Sequence, residues 1–211
     1  MNILRFERQA WRAGAVLIGI DEVGRGPLAG PVVAAAVCFP RRHRGIEGVR
    51  DSKQVKDAAT RVALVAQIRH EALAWGLGAA SVREIGRHNI RRATALAMKR
   101  ALARCRGRLP GDQPAQLIVD GNPVPELLEP HQALPHGDAL CHAVAAASLL
   151  AKVARDHVML ALAVRRPGYG WEHNVGYGTA EHLAALRSRG LTPHHRTLFC
   201  TTAIAQEEFE L

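Results

Sequence analysis

The sequence has few cysteines and lacks any apolar run long enough to cross a membrane. The four cysteines, Cys38, Cys105, Cys141 and Cys200, stand far apart without CxxC spacing, which argues against a zinc cage and a disulfide framework. No apolar run approaches the roughly 20 residues that span a bilayer. Residues 1–14 are charged and lack the apolar core of a signal peptide. We therefore expect a soluble, cytoplasmic protein with reduced thiols and no membrane partner.

Acidic residues are fewer than basic residues. No linker, internal repeat or low-complexity tract stands out in the sequence. The chain has 28 Lys plus Arg against 19 Asp plus Glu, a formal net charge of +9. This excess indicates a polyanionic partner, although charge alone does not separate nucleic acid from an acidic membrane. A chain of 211 residues, 48% of them hydrophobic, is long enough to bury about 70% of its unfolded surface. We expect one domain over residues 1–211, in which the acidic end, residues 201–211, forms a mobile tail.

Short apolar runs alternate with longer helical patterns along the chain. Residues 15–20 and 31–39 are rich in Val, Ile and Ala, and the loop between them is short enough for a wide hairpin. Residues 74–81 predict a third strand that contains two glycines, and residues 116–119 predict a strand that ends at Asp120. Helices are expected over residues 57–73, 82–105, 139–164 and 179–189. The alternation predicts an α/β domain, and the first hairpin predicts a mixed sheet.

The most informative segment, residues 18–31, reads Ile-Gly-Ile-Asp-Glu-Val-Gly-Arg-Gly-Pro-Leu-Ala-Gly-Pro. Asp21 and Glu22 follow an apolar strand, and adjacent carboxylates beside a core need a cation, a proton or strong hydrogen bonds. Neighbouring strand residues point to opposite faces, so the two acids share one site only if the strand bends or ends there. Asp120 ends another strand, and Asp138 is either a further acid of the site or a helix N-cap. The cluster predicts a site for Mg²⁺ or Mn²⁺ that suits phosphoryl transfer.

These residues and several other blocks in the same order resemble the ribonuclease HII family, the type 2 ribonucleases H. The resemblance runs from about residue 18 to residue 196 and is most specific in IDEVGRGPLAGPVVAAAV. It implies a ribonuclease H-like fold, with a mixed five-stranded sheet flanked by helices and a helical C-terminal extension. Four acids then fill the family's catalytic and metal-binding positions: Asp21, Glu22, Asp120 and Asp138. Further matching blocks are Asp51-Ser52-Lys53, Glu84-Ile85, Asn89-Ile90, Ala97-Met98, Val119-Asp120-Gly121-Asn122, Gly137-Asp138, AAASLLAKVARD, Gly176-Tyr177-Gly178-Thr179 and Thr192-Pro193-His194-His195-Arg196.

The resemblance also implies an activity and a substrate. Family members cut the RNA strand of RNA/DNA hybrids and cut 5′ of single ribonucleotides embedded in duplex DNA, leaving 3′-hydroxyl and 5′-phosphate ends, with two ions in the substrate complex. In the family the loop Gly24-Arg25-Gly26 reads the ribonucleotide, and Tyr177 matches a tyrosine that packs on the neighbouring deoxyribose. Lys53 is a candidate for neutralising a phosphate. No obligate protein partner is expected, and the chain is expected to be a monomer.

Three features depart from the family pattern. Leu140 stands two residues after Asp138, where a basic residue is usual, and Gly86 stands where an aspartate is common. Residues 131–136 read His-Gln-Ala-Leu-Pro-His, a poor strand because it contains a proline. We therefore expect weaker support for Asp138 and the loss of a phosphate contact near Leu140.

Two other classes of function remain open from the sequence. Gly24, Gly26 and Gly30 would form the phosphate loop of a nucleotide-binding enzyme, but the spacing is not GxGxxG and no helix is expected to follow. A basic nucleic-acid-binding module without catalysis would need no acid cluster. Two further sets have structural interpretations, a surface or structural turn for His194-His195 and ordinary helix-end contacts for Lys152 and Arg155.

Overall fold

The computed structural model describes residues 3–49, 55 and 57–209, and within them five strands form one mixed sheet. The strands are β1 Val16–Val23, β2 Val32–Cys38, β3 Ala74–Ala80, β4 Ala115–Asp120 and β5 Gln132–Leu134. Their order is β3-β2-β1-β4-β5, so that β1 is central. The β1–β2 and β2–β3 pairs are antiparallel, whereas β1–β4 and β4–β5 are parallel. The predicted α/β fold with a mixed five-stranded sheet is confirmed.

Helices flank the sheet and form the C-terminal part of the described chain. They are α1 Arg5–Arg12, α2 Ala58–Glu71, α3 Val82–Arg106, α4 Gly137–Leu140, α5 His142–Arg165, α6 Trp171–Asn174, α7 Ala180–Arg189 and α8 Thr197–Phe209. Among the residues described, none of these helices has the length and apolarity needed to cross a membrane. The cysteines are all buried and free of disulfides.

The two faces of the sheet are covered by different helices, as the alternation of side chains along a strand requires. Leu17 on β1 and Val33 on β2 belong to the core cluster that contains the apolar residues of α5. Ile18 and Ile20 belong to the opposite cluster, which contains Met98 of α3. Consecutive residues of β1 therefore enter different cores.

Glycines in the strands allow these helices to approach the backbone of the sheet. A Cβ on Gly78 of β3 would lie 2.1 Å from the carbonyl oxygen of Ala97 in α3. A Cβ on Gly19 of β1 would lie 2.4 Å from the carbonyl carbon of Ala143 in α5. The glycines that weaken the strand pattern in the sequence are thus positions where only hydrogen fits beside a packed helix.

The long apolar helix expected over residues 139–164 is divided in the structure. The one-turn helix α4 contains Asp138, and Cys141 adopts an extended conformation before α5 begins. Glu7 of α1 is buried, and its Oε1 accepts hydrogen bonds from the amide of Ala143 (2.8 Å) and from Sγ of Cys141. A carboxylate from another helix thus binds the first turn of α5, which no local sequence signal indicates.

The C-terminal helices pack on the distal part of α5 and on the loop after β1. Their core cluster contains Leu28, Met159, Trp171, Leu183 and Cys200. Helix α8 extends regular structure as far as Phe209, through a segment that the sequence assigned to a tail. The mobility of residues 201–211 and the extent of the single domain stay predictions.

Candidate active site

Three of the four predicted acids meet where the pairing of β1 with β4 ends. The last paired residues are Ile20 and Val119, so Asp21 and Asp120 directly follow on neighbouring parallel strands. β1 nevertheless continues beside β2, because Asp21 and Glu22 still pair with Ala35 and Ala34. β1 therefore does not end at the acids. Because β4 is shorter, β1 has no partner on this side beyond Ile20 in the described part of the chain, and the acids lie together at this unpaired edge.

The two adjacent acids approach Asp120 from different faces of the sheet. Asp21 is hydrogen-bonded by the side chain of Ser148 in α5, whereas Glu22 lines a cavity with Thr94 and Met98 of α3. The amide of Glu22 also donates a 2.7 Å hydrogen bond to Oδ1 of Asp21. The site thus straddles the sheet edge, as the alternation of side chains demands.

Burial and mutual repulsion both oppose ionisation of this cluster. Burial, followed by the charges of Glu22 and Asp120, raises the pKa of Asp21 well above its usual value. Burial also raises the pKa of Glu22, and the positive charge of Arg25 works against this rise. Nη1 of Arg25 lies 3.3 Å from Oε1 of Glu22, but the Arg25 side chain is 56% exposed. The acid cluster therefore favours the arrival of a further positive charge.

The turn that contains Asp138 contacts Asp120 through the main chain that precedes Asp138. Oδ1 of Asp120 accepts a 2.7 Å hydrogen bond from the amide of Gly137, the first residue of α4. The parallel pairing of β4 with β5 places this turn at the sheet edge, since Asp120 is in register with Leu134. Residues 131–136 therefore include a strand in spite of their proline, and the residue before half-buried Asp138 contacts Asp120 through its amide.

A cavity of about 400 Å³ opens beside Glu22 and Asp120. Basic and amide side chains share its wall with the acids, namely Arg25, Arg91 and Asn122. Arg91 is paired with Glu126, whose Oε1 accepts a 2.6 Å hydrogen bond from Nε of Arg91. The cavity wall thus combines carboxylate oxygens with cationic groups, a combination suited to a phosphate bridged to a cation.

The donor chemistry of the site fits a hard divalent cation. Carboxylate oxygens are the ligands that Mg²⁺ and Mn²⁺ prefer, and burial followed by the charges of Glu22 and Asp120 raises the pKa of Asp21, an effect that a nearby cation would oppose. In the described residues, no three His, Cys, Asp or Glu side chains are gathered closely enough to hold an ion as they stand. Mg²⁺ is commonly held by one or two carboxylates together with waters and substrate phosphates.

Two buried arginines hold the glycine-rich loop from below. Arg196 donates hydrogen bonds to the carbonyl oxygens of Gly24 (2.6 Å), Arg25 (2.8 Å) and Gly30 (2.9 and 3.0 Å). Arg155 donates to three more carbonyls, those of Ala29, Pro31 and Val175, each at 3.0 Å. Burial lowers the pKa of both guanidinium groups, that of Arg196 to about 9. The conformation of the loop therefore depends on side-chain forks that arrive from α5 and from the start of α8.

Tyr177 lies next to this loop. A Cβ built on Gly26 would lie 3.9 Å from Cε1 of Tyr177, and the tyrosine is 46% exposed. The carbonyl oxygen of the preceding Gly176 accepts hydrogen bonds from the amides of Leu28 (2.7 Å) and Ala29 (3.3 Å). The loop and Tyr177 thus form one surface, with Gly26 leaving open space beside the ring.

The remaining sequence predictions have mixed outcomes. Lys53 lies outside the described residues. Arg155 is buried beneath the loop and is not an ordinary helix-end residue, while Lys152 forms a helix ion pair with Asp156 at 2.7 Å. His195 is buried in a turn, which agrees with the structural alternative of the prediction. The glycine-rich loop leads into β2 and not into a helix, which removes the geometry that a nucleotide-binding phosphate loop requires.

The chain matches known proteins over most of its length. The family model described as ribonuclease HII matches residues 18–202. A ribonuclease HII from Sphingopyxis alaskensis is 51% identical over 191 residues, which cover 90% of this chain and 92% of the relative. The crystal structure of ribonuclease H2 from Pyrococcus horikoshii OT3 superimposes with a TM-score of 0.72 at 23% identity, covering 90% of this chain and 98% of that one. A structure of Bst-RNase HIII in complex with Mn²⁺ gives a TM-score of 0.71 at 21% identity, covering 92% and 70%.

Proposed function

This chain belongs to the ribonuclease HII family and is therefore an endoribonuclease, and from that premise we propose its substrates and the roles of its residues. It hydrolyses the RNA strand of RNA/DNA hybrids and cuts 5′ of single ribonucleotides embedded in duplex DNA, leaving 3′-hydroxyl and 5′-phosphate ends. The observation that carries this proposal is the meeting of Asp21, Glu22 and Asp120 at a sheet edge beside the loop at Gly24 to Gly26.

The four acids Asp21, Glu22, Asp120 and Asp138 are the catalytic and metal-binding residues in this proposal. Their carboxylates would hold Mg²⁺ or Mn²⁺, with two ions in the substrate complex, and the Mn²⁺-bound RNase HIII of the same fold agrees with this choice. The bound ions would activate water and stabilise the leaving oxygen of the phosphodiester. The chain itself orients Asp120 through the Gly137 amide and Asp21 through Ser148 and the Glu22 amide.

The loop at Gly24, Arg25 and Gly26 reads the ribose of the substrate. Main-chain groups at Gly26 can approach a sugar closely because no Cβ intervenes and the space beside it is open. The 2′-hydroxyl is the group that distinguishes RNA from DNA at such a contact. Tyr177, half-exposed next to Gly26, packs on the neighbouring deoxyribose. Lys53 neutralises a backbone phosphate.

The partners and cellular setting follow from the same substrate. The net charge of +9 favours binding to the phosphate backbone of a duplex, with an affinity that falls as salt rises. The chain acts in the cytoplasm as a monomer, without an obligate protein partner and without a membrane. A non-catalytic nucleic-acid-binding module is the competing function, and it leaves the acid cluster without a role.

The test is cleavage of a labelled DNA duplex that carries one ribonucleotide. Cleavage immediately 5′ of the ribonucleotide, dependent on Mg²⁺ or Mn²⁺, is the expected result. Asp21→Asn and Asp120→Asn should abolish cleavage while the fold and duplex binding persist. Full activity of either variant would contradict the assigned catalytic role, and metal-independent binding without any cleavage would favour the non-catalytic module.

A further inference from the structure

Beneath Tyr177, the structure contains a buried network of hydrogen bonds that the proposed chemistry does not use. Nδ1 of His182 lies 2.8 Å from the carbonyl oxygen of Tyr177. On the other side of the same ring, Nε2 lies 3.1 Å from Nε1 of Trp171 and 3.1 Å from Nε2 of His195. The side chains of Trp171, His182 and His195 are all buried, with Trp171 and His182 fully so.

The partners of His182 fix which of its ring nitrogens carries hydrogen. A carbonyl oxygen only accepts, so Nδ1 must be the donor to Tyr177. The indole of Trp171 only donates, so Nε2 of His182 must be the acceptor. The ring is therefore neutral, and burial, which lowers the pKa of His182, acts in the same direction.

His195 agrees with this assignment. Its Nδ1 accepts a hydrogen bond from the amide of Thr192 (2.9 Å), so that the hydrogen of the neutral ring is on Nε2 and points at Nε2 of His182. Burial lowers the pKa of His195 to about 4, which keeps this ring neutral as well. Nε2 of His182 is thus the acceptor shared by Trp171 and His195, and the Nδ1–H of His182 donates to the Tyr177 carbonyl.

We infer that His182 is a positioning residue that fixes the backbone of Tyr177 through its Nδ1–H and so sets the distance of the tyrosine ring from the Gly26 loop. The Tyr177 carbonyl accepts one other hydrogen bond, from the amide of Thr179 (2.9 Å), at the start of α7. The tyrosine ring itself is half-exposed, so contacts of its backbone contribute to its position, and besides this carbonyl the amide of Tyr177 donates a 2.9 Å hydrogen bond to the carbonyl oxygen of Asn174. The inference rests on the proposed role of Tyr177 at the junction of ribonucleotide and deoxyribonucleotide.

A matched pair of substitutions separates positioning from simple core filling. The amide nitrogen of asparagine can replace Nδ1, so His182→Asn keeps a donor for Tyr177 and loses the acceptor for Trp171 and His195. The amide oxygen of glutamine can replace Nε2, so His182→Gln keeps that acceptor and loses the donor to Tyr177. Both variants lose a hydrogen bond in the core, but only the glutamine variant loses the one to the Tyr177 carbonyl.

The experiment measures kcat and KM for both variants, for the unsubstituted protein and for Tyr177→Ala. The substrates are a DNA duplex with one ribonucleotide and a uniform RNA/DNA hybrid, with rates corrected for the folded fraction. For the single-ribonucleotide duplex, His182→Gln should raise KM and lower kcat/KM by about fivefold or more, the effect of one lost positioning hydrogen bond. Its effect on the uniform hybrid should be smaller, Tyr177→Ala should show the same bias, and His182→Asn should stay within about twofold of the unsubstituted protein.

The outcomes separate this inference from the proposed function. An active unsubstituted protein with equal losses in both His182 variants on both substrates, or with no loss in either, would overturn the positioning role alone. Absence of cleavage of both substrates by the unsubstituted protein with metal would overturn the proposed function and this inference with it. If the variants do not fold, ¹⁵N NMR of the unsubstituted protein decides, since a His182 ring carrying its hydrogen on Nε2 would contradict the inference and one carrying it on Nδ1 would support it.

Discussion

The amide of Gly137 donates a 2.7 Å hydrogen bond to Oδ1 of Asp120, and this contact joins the turn that contains Asp138 to the end of β4. The approach is close, because a Cβ on Gly137 would lie 3.2 Å from Oδ1 of Asp120 and 3.3 Å from Cγ1 of Val144. Two candidate ligands thus take their relative positions from one backbone contact.

Gly137→Ala should therefore reduce metal-dependent cleavage by about tenfold, while costing about 1 kcal/mol of stability or less. The added methyl group must displace either the Asp120 carboxylate or Val144 by a few tenths of an ångström. Gly86→Ala, at an exposed position of α3, is the matched control, since nothing lies within 4 Å of its Cβ and alanine favours helix. Equal activity of the two variants in a cleavage assay would show that the Gly137 contact does not orient Asp120.

The two glycines of the substrate loop should respond differently to alanine. Gly24 has φ +89, and its Cβ would lie 2.1 Å from Nε of Arg155, so Gly24→Ala should lower the melting temperature and disturb the loop. Gly26 is without a positive φ, and its nearest neighbour would be the Tyr177 ring at 3.9 Å. Gly26→Ala should therefore keep its melting temperature but lose activity, because the methyl group occupies the space proposed for the ribose. Thermal unfolding and cleavage assays on both variants test this contrast.

The sequence alone predicted the meeting of Asp21 with Asp120, because each of these acids follows a predicted strand and adjacent strand ends assemble sites in α/β sheets. It could not predict that Asp21 and Glu22 join one site while β1 continues beside β2, since this depends on β4 being shorter than the β1–β2 ladder. The roles of Glu7 and Arg196 could likewise not be predicted from the sequence. Their partners are backbone groups far away in sequence, so no local spacing records them.

Arg196→Lys should destabilise the protein although it conserves the positive charge. A lysine ammonium cannot reproduce the planar fork that reaches the carbonyls of Gly24, Arg25 and Gly30. We expect a loss of about 2–4 kcal/mol of unfolding free energy, since buried carbonyls lose their donors. Arg12→Lys, at an exposed position of α1, is the control. Denaturant unfolding of the two variants measures the difference, and equal stability would contradict the structural role of the fork.

Acid should destabilise the fold through a buried histidine that is neutral in the folded state. Burial lowers the pKa of His142 from 6.5 to about 4, and its Nε2 accepts a 3.1 Å hydrogen bond from the amide of Ile46. Because the folded pKa lies below the unfolded one, the unfolded state binds more protons between these values. The contribution of His142 to the stability of the fold is thus fully present above pH 6.5 and declines towards pH 4.

The variant His142→Gln isolates this contribution from that of the other titrating groups. The acids Asp21 and Glu22 have raised pKa values and act in the opposite direction, while His195 adds a loss of the same sign. These contributions are common to the unsubstituted protein and the variant, so they cancel in the difference between the two unfolding free energies. Since each pKa unit is worth about 1.4 kcal/mol, the unfolding free energy of the unsubstituted protein should fall more steeply on acidification than that of the variant, by a few kcal/mol at most. Urea unfolding at several pH values between 7 and 4.5 measures it, and parallel curves would show that His142 is not neutralised by burial.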